Sequence, residues 1–340
     1  MIKINYEENK ENIENMYWDW FSKYHLKTFK KILINDNVLM NFIFKQAYSN
    51  EELIYNLMKD DNIKDDDSSK QKLGKENIKI NNFIRTFLVM LPISHQEAID
   101  YFNKNEINSE SKNFFLKRYD NFRKSQAPKI INKLNIRVCP YCNKNYIDVY
   151  MDDKNNPIRF NGDLDHYFPK EKYPYLAINL YNLIPSCKVC NQEKGDREKK
   201  IFHPYLHSHI GTYKFKTSFT DNPSLDYLYG KTEEFNITME PSTNCNVIVE
   251  SNDLFHLKEK YSYHKKYVKE LIQKVHIYND NILEEFQNEL FNIDEQNNKT
   301  IFTKDEIKKL IFSNDFNEDK HLDRSLSKLT YDILQEFGVE

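Results

Sequence analysis

Two C-x-x-C pairs constrain this chain more than any other feature. They are Cys139-Pro140-Tyr141-Cys142 and Cys187-Lys188-Val189-Cys190. Four thiolates in two knuckles are the ligand set of a closed, tetrahedral Zn²⁺ site, and such a site would staple residues 143–186 into a loop longer than zinc ribbons usually carry. Four unrelated buried cysteines are the competing reading, and the coherent motif between the pairs weighs against it. A metal site also fits a reducing compartment better than a disulfide framework does. The fifth cysteine, Cys245, has no partner in sequence and reads as an isolated thiol.

The stapled loop carries Leu164-Asp165-His166-Tyr167-Phe168-Pro169-Lys170, then Asn182-Leu183-Ile184-Pro185-Ser186, and Asn191-Gln192-Glu193-Lys194 follows the second pair. Hydrolysis of a phosphodiester needs a base to activate water and a hard cation to stabilise charge on the phosphoryl oxygens. A neutral imidazole suits the first task, and a carboxylate with an amide oxygen suits Mg²⁺ or Mn²⁺. His166, Asp165 and Asn191 supply those groups. Neighbours on a strand point to opposite faces, so a shared site requires the strand to twist, bulge or end at this pair, and Pro169 makes an ending reasonable.

These segments resemble the HNH, or His-Me finger, nucleases with their ββα-metal core. The resemblance implies His166 as general base, Asp165 and Asn191 as ligands of Mg²⁺ or Mn²⁺, and Asn182 as a brace for the loop bearing the base. Asn191 stands where the family name has its last histidine, which implies an altered metal preference. Lys194, one helical turn further on, could meet a phosphate or be an ordinary solvated lysine. Taken with Phe202-His203-Pro204-Tyr205, the motif order is similar to that of the HNH subunit of the bacterial Septu anti-phage system and of nucleases encoded beside ABC-type ATPases. That likeness covers the motif region only. It implies a DNA-cutting effector leaving a 5′-phosphate, an ATPase partner, and a place for His203 beside the scissile phosphate. A non-catalytic zinc-stapled module for nucleic acid or a partner, and an HNH-type RNase, are the alternatives. For His203, His207 and His209 without the resemblance, surface histidines in a loop are the plain reading.

Around the motif the expected fold is α+β, a mainly helical chain with an embedded zinc-stapled ββα core. Residues 1–130 are expected to form a helical region, 131–210 the nuclease core, and 211–340 a mixed and then helical region. Apolar residues recur at helical spacing through Met16, Trp20 and Tyr24 and from Leu39 to Phe44. Lys59 to Lys79 reads as an exposed loop, and Ser94 with Glu97 as a capping box. Strands are expected at Tyr146–Tyr150, Ile158–Phe160, Tyr213–Phe219, Phe235–Met239 and Val247–Val249, and a helix capped by Ser186 ends near Gly195. Thr303 with Glu306 reads as a second capping box. Stripes at Tyr261, Val268, Leu271, Ile272, Val275 and Ile282, and at Leu322, Leu326, Leu329, Ile333 and Phe337, belong to core or to a partner surface.

A formal net charge of -3 does not mark a nucleic-acid protein, but binding needs only a local basic strip. One runs from Lys117 to Arg137, and Lys117, Arg118, Arg123 and Lys124 are its candidate DNA contacts; a solvated helix face is the plain alternative. The start, Met1-Ile2-Lys3-Ile4, lacks a signal-peptide apolar core, and the best apolar stretch, Phe87 to Ile93, is too short to span a bilayer. A cytoplasmic protein without membrane partners is expected. No G-x-x-x-x-G-K-[ST] segment occurs, so ATP would bind to another polypeptide.

Overall fold

The computed structural model describes residues 1–44, 67–222, 224–242, 246–286, 292–294, 299–300 and 302–339. Helical spacing builds the first half. Helix α1 (Lys10–Tyr24) buries Ile13, Tyr17, Trp20 and Phe21, and α2 (Leu26–Asn35) buries Phe29, Ile32 and Leu33, each on one stripe. Helices α3 (Asn37–Phe44), α4 (Asp67–Leu88), α5 (Pro92–Phe102), α6 (Ser109–Ser125) and α7 (Ala127–Leu134) follow. The Asn108 side chain caps α6 by accepting from Ser111 N, and Asn135 ends α7 in the left-handed conformation.

Among the described residues four two-stranded antiparallel sheets follow. They are β1 (Val149–Met151) with β2 (Pro157–Phe160), β3 (Asp163–His166) with β4 (Leu183–Ser186), β5 (Tyr213–Phe219) with β6 (Phe235–Pro241), and the short pair β7 (Asn292–Asp294) and β8 (Lys299–Thr300). Helix α8 (Lys188–Lys194) follows β4 and packs on β3. In β5, buried Tyr213, Phe215 and Thr217 alternate with exposed Lys214 and Lys216, the period-2 pattern of a half-covered strand. The remaining helices are α9 (Asn246–Phe255), α10 (Leu257–Ser262), α11 (Lys265–Ile277), α12 (Asp280–Glu285), α13 (Lys304–Phe312) and α14 (Ser327–Glu336).

Several local expectations change. Val247–Val249 lies in α9, where Ile248, Ser251, Leu254 and Phe255 share a buried helical face that outweighs β-branching. Residues 67–79 of the expected loop are helical, and the part before residue 67 lies outside the described residues, as does Cys245. Helix α5 begins at Pro92, so Ser94 is inside its first turn and caps nothing. Ser186 belongs to β4, and Cys187 takes the N-cap position of α8. Tyr146 only bridges Val138, and the strand starts at Val149. Leu322 and Leu326 precede α14. The Thr303–Glu306 capping box is present.

The apolar stripes close on the chain itself. Tyr261, Val268, Leu271 and Ile272, now on α10 and α11, are buried with Leu329 and Ile333 of α14 in one hydrophobic cluster that also includes Tyr17, Tyr141 and Ile184. Among the described residues no helix is long and apolar enough to cross a membrane.

The first cysteine knuckle is where distant segments meet. Ile2 N donates to Pro140 O (2.7 Å), Tyr261 Oη to Cys142 O (2.7 Å), and Arg137 N and Val138 N both to Leu322 O (3.1 Å each). Asn143, left-handed at φ 50°, is the main tie to the C-terminal segment. Its backbone O accepts from Leu326 N (2.7 Å), its Nδ2 donates to His321 O (2.6 Å), and its Oδ1 accepts from Lys328 N (3.0 Å). Asn143→Ala removes two buried hydrogen bonds and leaves a Cβ-bearing residue without the local bonding that favours Asn in this conformation. It is expected to cost about 2–4 kcal/mol in denaturant unfolding. Asn143→Gly keeps the backbone and should recover only part of that loss.

Candidate active site and cysteine cluster

The four paired cysteines converge. Their Sγ atoms all lie within 4.8 Å of one another, all four residues are buried, and Cys142 Sγ is 4.0 Å from Cys187 Sγ. Tetrahedral Zn²⁺ with Zn–S near 2.3 Å sets S···S at about 3.8 Å, so the cluster could hold this ion with a small contraction. Asn145 Nδ2 donates to Cys187 Sγ (3.3 Å), the kind of bond that favours a thiolate. Among the described residues this is the one group of three or more Cys, His, Asp or Glu placed to hold a metal.

The cluster fixes α8 beside the β3–β4 hairpin. In β3, Asp163 and Asp165 are two apart and share a face; in α8, Asn191 and Lys194 are three apart and share a face. The two faces meet. Asn191 Nδ2 donates to Asp163 Oδ2 (3.2 Å), while Lys194 Nζ donates to Asp165 Oδ1 (3.1 Å) and to His166 O (2.6 Å). The Lys194–Asp165 ion pair is almost sealed, with side chains 1% and 3% exposed. The other carboxylate oxygen of Asp165 accepts from Tyr141 Oη (2.7 Å), and Tyr141 lies inside the first C-x-x-C. Burial raises the Asp165 pKa, and Lys194 and Tyr141 oppose that rise.

His166 ends β3, paired with Leu183 of β4, and its side chain leaves the other face. Its Nε2 meets Ala177 O at 2.9 Å and its ring packs 4.4 Å from that of Tyr119. A carbonyl only accepts, so Nε2 carries the hydrogen and Nδ1 is the unprotonated nitrogen. Burial holds the imidazole neutral, with its pKa lowered to about 3. Asn182 organises the chain that follows: its Oδ1 accepts from Phe168 N (2.8 Å), and its Nδ2 donates to Phe168 O (3.1 Å) and Leu176 O (3.0 Å).

Lys194 is buried against Asp165 and does not face solvent. His203 is also buried, stacked 4.1 Å from the Tyr167 ring with its Nδ1 accepting from Tyr205 N (3.3 Å). His209 is buried between Lys3 N and His321, so neither it nor His203 is a surface loop histidine. His207 is half-buried and its Nδ1 accepts from His203 N (2.8 Å). Within the basic run, Arg123 reaches Asp163 (2.5 Å), Arg118 packs over Phe114 (5.1 Å), and Lys117 and Lys124 are exposed.

Tyr141, Tyr119 and Asp163 were missed by sequence reasoning, and so was the pairing of Arg123 with Asp163. Tyr141 was visible inside the knuckle, but nothing local reveals its bond to Asp165. Tyr119 Oη donates to Leu164 O (3.0 Å) and Arg123 pairs with Asp163, both from α6, and only the tertiary fold brings that helix to β3. Asp163 had a signal in its i, i+2 spacing to Asp165.

Two outcomes are expected. Purified protein should carry one zinc ion per chain by elemental analysis, and Cys187→Ser should lower both zinc content and melting temperature, since metal binding contributes folding free energy directly; a well-folded sample without zinc contradicts this. Lys194→Met leaves a buried carboxylate unpaired and should cost about 3–5 kcal/mol in denaturant unfolding, whereas Lys188→Met on the exposed side of α8 should cost little.

No family model matches the sequence, and no solved structure matches it. Two curated proteins do, each over a short stretch. The chain is 47% identical to Septu protein PtuB of Bacillus thuringiensis over 38 residues, which is 11% of this chain and 15% of that protein. It is 31% identical to protein ea31 of Escherichia phage lambda over 78 residues, 21% of this chain and 22% of that protein. The matches therefore span less than a quarter of either relative, and this chain is similar to each of them over that short stretch alone.

Proposed function

We propose that this chain is a metal-dependent endonuclease of the HNH type that hydrolyses DNA, working as the effector of a defence complex. The observation that carries the reading is the arrangement of His166, Asp165 and Asn191 on an antiparallel hairpin and the helix that follows it. The order β3, β4, α8 over residues 163–194 is ββα, which supports the reading, and Cys187 and Cys190 stand at the start of that helix.

Asp165, with Asn191 and the neighbouring Asp163, offers hard oxygen donors, the set that Mg²⁺ or Mn²⁺ takes. Asp165 Oδ1 holds Lys194 Nζ and Oδ2 accepts from Tyr141 Oη, so an ion bound at Asp165 would take the place of the Lys194 ammonium on Oδ1. When bound, such an ion supplies charge stabilisation at the phosphoryl and leaving oxygens. The protein's own part begins at His166. With Nε2–H held by Ala177 O, Nδ1 takes a proton from water as the water oxygen bonds to phosphorus. The P–O3′ bond breaks, the 3′ oxygen takes a proton from solvent, and a 5′-phosphate remains. Asn182 keeps the segment after His166 in place, so the imidazole does not turn away from this orientation.

The partial match to a Septu protein supports work within a defence complex, and the Septu-like motif order leads us to propose an ABC-type ATPase as the partner. The apolar stripes of α11 and α14 are used within this chain, so a partner would dock elsewhere.

The test is cleavage of supercoiled plasmid in Mg²⁺ or Mn²⁺ by the full chain, alone and co-purified with its ATPase. His166→Ala is expected to lower the rate by about 10²–10⁴ while preserving folding and zinc content. Asp165→Ala and Asn191→Ala should raise the Mn²⁺ concentration needed for cleavage. Wild-type cleavage by His166→Ala would overturn the assignment.

A further inference from the structure

Beside the β3 face that carries Asp163 lies an open cleft of about 480 Å³. Its walls include Arg123 and Lys124 at the end of α6, Pro128 of α7, Ile158, Arg159 and Phe160 of β2, and Lys188 at the start of α8. Four cations thus converge from separate elements on one space, with Asp120 the single acid among its lining residues. Among the described residues Lys124, Arg159 and Lys188 have no ion pair, and Arg159 rests over the exposed Tyr150 ring with Cζ 5.9 Å from its centroid. Arg123 is paired with Asp163 (2.5 Å), but its side chain is 48% exposed, where such pairs are weak and easily exchanged.

The lining is also partly apolar: Ile158, 58% exposed, stands with Phe160 and Pro128 among its residues. The wall is fixed to the candidate site through Gly162, which joins β2 to β3. A Cβ there would lie 2.5 Å from Phe160 Cζ and 2.6 Å from Ser186 O, so only glycine lets the β1–β2 hairpin fold this close to β4.

We propose that this cleft is the track for the DNA strand flanking the cut, with Arg159, Lys188 and Lys124 taking backbone phosphates and Ile158 packing against a sugar or base. The position rests on the nuclease reading; the binding does not. Cations from three elements around apolar side chains fit a polynucleotide, which alternates charge and apolar surface, better than a small anion. Arg159 and Lys188 lie outside the basic run that stands out in sequence, and they line the same cleft as Arg123 and Lys124 of that run.

The test measures binding in the non-cutting His166→Ala background, by fluorescence anisotropy with labelled duplex DNA, single-stranded DNA and RNA of one sequence, across a salt series. Arg159→Glu with Lys188→Glu is expected to weaken DNA binding at least about tenfold and to flatten the log–log salt slope by about 1.4–1.8, two phosphate contacts' worth. Arg159→Gln with Lys188→Gln should give a smaller loss in the same direction, and Lys266→Glu on α11 should leave both readings unchanged; circular dichroism and zinc content check folding. Unchanged affinity and slope in a folded double variant would overturn the proposal, and so would tighter binding of RNA than DNA or equal competition by polyglutamate. If the wild-type chain does not cut while the double variant loses binding, the track stands and the nuclease reading falls. If it cuts and the double variant binds normally, the reverse holds.

Discussion

The convergence of four cysteines is the constraint on which the rest of this structure depends. Two knuckles far apart in sequence come within 4.8 Å, and that closure places α8 against β3. A seven-residue helix has little stability of its own, so its position must come from outside it. Here it comes from Cys187 and Cys190 at one end and from the buried contacts of Asn191 and Lys194 along one face. The same knuckle anchors the first residues of the chain, Tyr261 of α10 and the segment leading into α14, so the cluster organises the C-terminal region as well as the site.

The second consequence is electrostatic. Tyr141 is held within the first knuckle, and its hydroxyl reaches Asp165, while Lys194 reaches the other oxygen of the same carboxylate. A carboxylate this deeply buried would be neutral if left alone, and the two donors favour its charged form. Asp165 and His166 satisfy the strand geometry without a bulge. Asp165 faces α8 and His166 faces Tyr119 and Ala177, and the Lys194 ammonium touches both residues at the strand end, through the carboxylate of one and the backbone oxygen of the other.

What was legible in the sequence is what short spacing encodes. The C-x-x-C pairs, the Asp165-His166 pair before Pro169, and Asn182 and Asn191 were visible because their geometry is set within a turn or a strand. The contributions of Tyr141, Tyr119 and Arg123 were not, since each acts through a partner that only the tertiary fold brings near. Local β-propensity misread Val247–Val249, where the buried stripe of α9 decides the conformation. The histidines misled for a related reason: a loop rich in His and Pro looks solvated, yet His203 and His209 are packed under it by Tyr167, His321 and the first residues of the chain. Of the cleft only Arg123 and Lys124 were legible, because its other walls come from α7, β2 and α8.

We propose that a scaffold stapled by its cysteine cluster also offers an oxygen-lined cation site at Asp165 and Asn191. Anomalous diffraction from crystals of the full chain grown with Mn²⁺, recorded at the zinc and manganese edges, reads out both metals. Expected are a zinc peak among the four Sγ atoms and a separate manganese peak within coordination distance of Asp165 and Asn191, with the Lys194 ammonium moved from Oδ1. Manganese absent from that position in crystals of a preparation that cleaves DNA, with Lys194 still on Asp165, would contradict it.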